Sequence, residues 1–197
     1  SVAENTTAVL TVTASDADQP AETLTYSLAG GADAALFEID ANSGALSFKL
    51  APNFEAPADA GGNNVYNLTV QVSDGTLSST QAIAISVTAV NDNTPAITSS
   101  ATASVAENTT AVLTVTASDA DRPAETLTYS LAGGADAALF QIDANSGALS
   151  FKLAPNFETP ADANGDNVYD VIVSASDGTL AVTQTLAISV ENRNEMP

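Results

Sequence analysis

The chain has 197 residues and a formal net charge of −20, with 24 Asp and Glu against only Lys49, Arg122, Lys152 and Arg193. That charge opposes binding to nucleic acid or to an anionic membrane. There is no Cys or His, so a bound metal would have to take oxygen ligands, which points to Ca²⁺ or Mg²⁺ ahead of zinc.

The length suits two modules of roughly 100 residues, each large enough for its own core. An internal repeat fixes that division. Ser1-Val-Ala-Glu-Asn-Thr-Thr recurs at Ser104, and residues 1–60 and 104–163 differ only at Gln19/Arg122, Glu38/Gln141 and Ala56/Thr159. We place the modules at 1–92 and 93–197. No apolar run approaches the roughly 20 residues of a membrane span, so membrane insertion is not expected. The chain opens mid-pattern on Ser1-Val2-Ala3-Glu4, which reads as a piece of something longer.

Within each repeat, short alternating runs rich in Val, Ile, Leu and Thr predict six or seven strands. Leu10 and Val12 alternate with Thr11 and Thr13. Strands follow at 24–28, 36–39 and 45–48, with Asn42-Ser43-Gly44 as a tight turn in which Gly44 takes φ > 0. Tyr66, Leu68, Val70 and Val72 share one face. Asp74-Gly75-Thr76 turns the chain, and Ile83, Ile85 and Val87 face inward on the last strand. This is an all-β pattern of two tandem β-sandwiches. Residues 96–103 read as the first strand of module two. Module one has no counterpart to it, so that strand is either truncated or supplied from elsewhere.

Five polar motifs recur. They are Val2-Ala3-Glu4-Asn5, Asp16-Ala17-Asp18, Pro52-Asn53-Phe54-Glu55, Ser73-Asp74-Gly75, and the connector Ala89-Val90-Asn91-Asp92-Asn93-Thr94-Pro95. The connector is answered at the C-terminus by Asn192-Arg193-Asn194-Glu195-Met196-Pro197. Each motif alone reads as an ordinary turn or solvated loop. Together and in this order they resemble the calcium motifs of the cadherin fold (xEN, DxD, DxE, xDxG and DxNDNxP). The 58–64 loop and the C-terminal pattern resemble the bacterial cadherin-like repeats of large surface or secreted proteins.

The resemblance implies Greek-key sandwiches of cadherin and immunoglobulin type, joined by a short calcium-binding linker. It implies ligands from Glu4, Asn53 and Glu55 in one module. From the connector it implies the Ala89 carbonyl, the Asn91 and Asp92 side chains and the Asn93 carbonyl. From the next module it implies Asp119, Asp121 and Asp177, plus a carbonyl near 124–126. Asn53 and Ala89 stand where the family usually has Asp, so the outermost position near Asn53 is expected to be the weakest. Asp16, Asp18 and Asp74, and likewise Glu107, Glu158, Asn194 and Glu195, are expected to form half-sites that bind poorly alone. Asp162-Ala-Asn164-Gly-Asp166 reads either as an EF-hand-like start or as a polar loop, and it lacks that loop's Gly and Glu. Asn5, Asn67 and Asn108 head glycosylation triplets.

The expected role is a calcium-rigidified extender or adhesion repeat at the bacterial cell surface or outside the cell. Its partners would be neighbouring repeats of the parent chain. The alternative is a direct binding module, for homophilic adhesion to like modules or for cell-surface polysaccharide. An enzyme is disfavoured, because the carboxylates are absorbed by metal ligation and the repeats suggest no cleft for a glycosidase-type pair.

Overall fold

The computed structural model describes residues 1–18 and 22–195; Gln19, Met196 and Pro197, which entered the motif comparison, lie outside them. The chain divides into two compact units, Ser1–Val90 and Asn91–Pro197. In the first, β1 (Val2–Ala3), β7 (Ser78–Thr88), β6 (Val65–Ser73) and β3 (Thr25–Gly30) form one sheet in that order. The second sheet runs β2 (Ala8–Thr11), β5 (Ala45–Phe48), β4 (Phe37–Ile39). β1 lies parallel to β7, and the other pairs are antiparallel.

The second unit repeats this plan with additions. Its strands are β8 (Ala96–Ile97), β9 (Thr102–Ala106), β10 (Ala111–Thr114), β11 (Ala117–Ser118), β12 (Thr128–Gly133), β13 (Phe140–Ile142), β14 (Ala148–Phe151), β15 (Val168–Ser176) and β16 (Ala181–Glu191). The predicted first strand is therefore two strands. β8 pairs antiparallel with β11, and β9 runs parallel to β16 from Thr102↔Ala187 to Glu191↔Ala106. In the first unit Ala14 and Ser15, the counterparts of β11, instead line a cleft of about 230 Å³ with Val72 and Leu77.

Alternation along β6 buries Tyr66, Leu68 and Val70, and Ile85 and Val87 meet them from β7. Phe37 and Phe48 lie with ring centroids 4.2 Å apart and planes tilted by 35°, and each makes a T-shaped contact with Tyr66. Phe140, Phe151 and Tyr169 repeat the arrangement. Such pairs add to area burial, so a composition with few aromatics concentrates three of them in each core. The Tyr66 hydroxyl accepts from Ala58 N–H at 3.3 Å, which satisfies its polar end.

One strand departs from simple alternation. Leu10 faces outward at 41% exposure, while Val9 and Val12 pack on the core. The register shifts between Ala8 and Leu10; the same shift in β10 leaves Leu113, the counterpart of Leu10, packed on the core, so the bulge alone does not set the exposure.

Two turns anchor the long loops. Asp33 is buried, and its carboxylate accepts from Ala60 N–H at 2.7 Å and Asn67 N–H at 2.6 Å, tying the loop to β6. Asp59 accepts from the amides of Asn63 and Asn64. Asp162 does the same with Asp166 and Asn167, so its carboxylate closes its own loop as a polar turn.

Gly44 has φ +71°, and a Cβ there would stand 2.3 Å from the Val12 carbonyl oxygen. Gly44→Ala should therefore lower stability by about 2–3 kcal/mol, read from the urea midpoint; an unchanged midpoint would show that the loop gives way freely. Asp40 is held below the usual carboxylate range by Ser43 N–H, Ser43 O–H and Asn42 N–H, and Asp143 likewise by Ser146 and Asn145. A depressed native value stabilises above the unfolded value of 3.8 and is lost as pH falls through the native one. Stability should fall as pH drops below about 4, and Asp40→Asn should shrink the loss measured between pH 5 and pH 3.

Candidate metal centre

In the second unit three aspartates converge from two loops. Asp119 and Asp121 follow β11, and Asp177 opens the turn between β15 and β16. Their carboxylate oxygens lie within 4.8 Å of one another. At an effective dielectric of about 20, each like-charge pair at that separation costs roughly 3 kcal/mol. Local turns hold them there. Asp119 Oδ1 accepts from Asp121 N–H at 3.0 Å. Asp177 Oδ1 accepts from Thr179 and Leu180 N–H at 2.6 and 2.7 Å.

The turns use one oxygen of each residue. The others, Asp119 Oδ2 and Asp177 Oδ2, are buried and receive no hydrogen bond among the described residues. Asn91 Oδ1 is buried and unpartnered in the same way. Burial works to raise the Asp177 carboxyl. Donors from Leu180, Thr179 and the Asn91 side chain outweigh it and hold the group below the usual carboxylate range. Asp121 is 2% exposed and accepts from Asn93, through the backbone N–H at 3.2 Å and through Nδ2 at 2.6 Å. Asn93 Nδ2 also reaches Asp92 Oδ1 at 2.9 Å.

Buried anionic oxygens without donors are costly unless paired or bound to a metal. Three carboxylates and an amide oxygen, all hard donors, fit calcium, which takes six to eight oxygens with tolerant geometry. Asn91, Asp119, Asp121 and Asp177 would hold the ion, which would replace mutual repulsion by bridging.

The first unit gathers a different set. Glu4 is 1% exposed, and its two oxygens accept from Phe54 and Val90 N–H, each at 2.7 Å. Oxygens of Glu4 and Glu55 lie within 4.8 Å of each other. Ala89 is half-buried beside them in the chain leading to Val90. Asn53 is placed otherwise, with its Oδ1 accepting from Ala56 N–H at 2.7 Å.

The outer half-sites are built alike. Glu107 is fully buried, and the amides of Arg193 and Phe157 hold it below the usual range. Asn192 donates to Glu158 at 2.7 Å, and Asn108 donates to Glu195. At the opposite end of the first unit Asp16 and Asp74 lie within 4.8 Å of Glu22. Sequence reasoning missed Glu22, having expected only a backbone carbonyl from that loop; its counterpart Glu125 is not in the group formed by Asp119, Asp121 and Asp177. The signal was available, since the glutamate recurs four residues after the second Asp of each Asp-Ala-Asp.

The cadherin domain profile matches residues 1–88 and 101–191. The chain is 34% identical over 180 residues to mouse cadherin-related family member 2, covering 87% of this chain and 13% of that protein. It is also 34% identical over 184 residues to human cadherin EGF LAG seven-pass G-type receptor 2, covering 86% of this chain and 6% of that one. The chain thus spans a small part of the length of these relatives. Among solved structures, mouse cadherin-23 EC22-24 matches with a TM-score of 0.68 and 26% identity, over 98% of this chain and 62% of that one. Human protocadherin-24 EC1-2 shares the fold with a TM-score of 0.74 and 22% identity, over 98% and 93%. Calcium binding and an extracellular location are typical of cadherins, whose domains are structural adhesion modules. No helix among the described residues is long and apolar enough to cross a membrane. With both repeats matched to one profile, the chain belongs to the cadherin family and consists of two cadherin domains.

Proposed function

We propose that the chain is a calcium-rigidified extender of a large bacterial surface or secreted protein, with Ca²⁺ at the linker fixing the orientation of successive modules. The observation that supports this best is the set of buried, unpartnered oxygens on Asn91, Asp119 and Asp177 beside Asp121. The joint draws on Glu4 and Glu55 from the first module. The connector gives the Ala89 and Asn93 carbonyls with the Asn91 and Asp92 side chains, and the second module gives Asp119, Asp121 and Asp177. The module boundary then falls between Asp92 and Asn93, inside the ligand-bearing connector. Asn53 makes the outermost position the weakest, because an amide occupied by Ala56 N–H brings neither charge nor a spare orientation. The bacterial origin rests on the 58–64 loop and the C-terminal pattern.

The chemistry of the joint is electrostatic. Without cation, the clustered carboxylates repel, and a short connector lets the modules part. With cation, each carboxylate becomes a strut. The sandwiches are complete without it, so calcium sets an angle more than it folds a domain.

A second reading is adhesion between like modules. One solved neighbour, protocadherin gammaB7 EC3-6, is described as a cis-dimer.

Small-angle scattering in calcium and then in chelator separates these roles. The extender gives a longer, stiffer particle of unchanged monomer mass in calcium, whereas adhesion gives calcium-dependent dimers. A profile identical in both buffers would defeat the joint. Asp121→Asn should weaken calcium binding by about tenfold or more in calorimetric titration, because ligand charge sets the affinity of such sites. Its melting temperature in chelator should stay at or above that of the parent chain.

A further inference from the structure

Each unit has an apolar cleft that the calcium reading does not use. In the first unit it has a volume of about 380 Å³ and lies along the loop after β5, with Leu36, Phe48, Leu50, Pro52 and Tyr66 in its lining. The second unit repeats it at about 340 Å³, with Leu139, Phe151, Leu153, Pro155 and Tyr169. Phe48 and Tyr66 belong to the packed core and are 3% and 1% exposed, so they form a fixed floor. Leu50 and Leu153 are each 84% exposed. A leucine left in water beside an apolar cleft, twice in the same place, is the signature of a binding surface.

Charge narrows what could fill it. The chain has 24 acidic residues, yet among the described residues lining the two clefts there is no Asp or Glu. Its only two lysines stand one at each cleft. Lys49 N–H donates to the Leu36 carbonyl at 2.9 Å, and its Nζ donates to the Ala35 carbonyl at 2.8 Å. Lys152 repeats both bonds with Leu139 and Ala138, each at 2.8 Å. The ammonium is thereby pinned to the short turn Ala34–Leu36 or Ala137–Leu139, with one of its three donors spent. The net charge of −20 opposes any anion at long range. At physiological salt that field is screened beyond about 8 Å, so the charge that counts at the cleft is the lysine's.

We propose that each cleft binds a free aliphatic carboxylate. The chain lies on Phe48 and Tyr66 (Phe151 and Tyr169) against the leucine, and the head meets the lysine. Burial of the chain supplies affinity, and the charge-assisted hydrogen bond supplies orientation. A second copy of this chain fits worse, because it brings the same net charge of −20 against this one. The smaller second cleft has Thr159 where the first has Ala56. The Thr159 hydroxyl is turned to Asn156 Oδ1 at 2.8 Å, so it takes up room without offering a free donor. The first cleft therefore takes the longer chain.

The test is calorimetric titration of the full chain in chelator with decanoate, decanol and acetate, the site being read from methyl NMR shifts. Decanoate should bind at two sites per chain and move the resonances of Ala35, Leu50, Ala138 and Leu153. Decanol lacks the charge and acetate lacks the chain, and each should bind about fivefold more weakly or worse. Lys49→Gln should weaken the first site about fivefold and leave the second unchanged, and Leu50→Ser should also weaken only the first. Both side chains are exposed, so both variants should keep the melting temperature of the parent chain. Equal affinity for decanol and decanoate would overturn the proposal, as would no uptake of decanoate or shifts confined to other residues. A dimer in chelator that Leu50→Ser dissolves would give the cleft to a second copy and overturn it too.

Discussion

The structure depends on how each clustered aspartate divides its two oxygens. Asp119 gives one to the Asp121 amide, and Asp177 gives one to the Thr179 and Leu180 amides. Those bonds fix the side chains in place at little cost, because the donors belong to the same turns. The second oxygen is then committed to the direction the turn dictates, and in both residues it is buried without a donor. The turn therefore places a negative charge where water does not reach. Such an arrangement is costly for an ionised carboxylate unless a cation offsets it, which sets these loops apart from ordinary solvated ends of a sandwich.

The sandwich supplies rigidity to both ends of each unit. β6 and β7 pair along nine successive positions, from Val65↔Ser86 to Ser73↔Ser78. The turn carrying Asp74 is thus at the tip of a long, well-registered hairpin, and β15 and β16 hold Asp177 in the same way. At the other end Glu4 and Glu107 are nearly inaccessible, yet each receives two backbone N–H donors. Those carboxylates are structural as well as chemical. They clamp the first strand to the loop before Phe54 or Phe157 and to the chain leaving the last strand. A ligand that also pins the backbone gives an ion a stiff support.

Much of this was legible in the sequence, for identifiable reasons. Strict alternation at Tyr66, Leu68 and Val70 marked one face of a strand, and the structure buries all three. Gly44 was legible because a tight turn between two short strands requires a residue tolerant of positive φ, and it has φ +71°. Leu10 alternates with Thr11 as Val12 does with Thr13, yet it is 41% exposed while its counterpart Leu113 packs on the core; identical strands with different burial show that tertiary packing decides this position, and the strand's own sequence does not carry it. Asp33 and Asp59 were not singled out at all. Their partners are amides 27 to 34 residues away or within an irregular loop, and backbone donors leave no mark in a sequence. Glu22, which groups with Asp16 and Asp74, was overlooked for a different reason: a family pattern that assigns a carbonyl to a loop draws attention away from the side chains in it.

The two repeats act as an internal control on what buries the aspartates. Asp18 and Asp121 lie in loops that are identical apart from Gln19/Arg122, yet Asp18 is exposed and Asp121 is 2% exposed. The sandwich behind them is the same. In the second unit the connector reaches this loop. Asn93 donates two groups to Asp121, and Pro95, two residues on, is buried as β8 begins. The burial of Asp121 goes with these contacts to the connector. At the repeat offset of 103, the counterpart of Asn91-Asp92-Asn93 is Asn194-Glu195-Met196. Arg193 stands where Val90 does, and its backbone N–H donates to Glu107 at 2.8 Å as that of Val90 donates to Glu4 at 2.7 Å; because the backbone makes this clamp, it survives the change of side chain from valine to arginine.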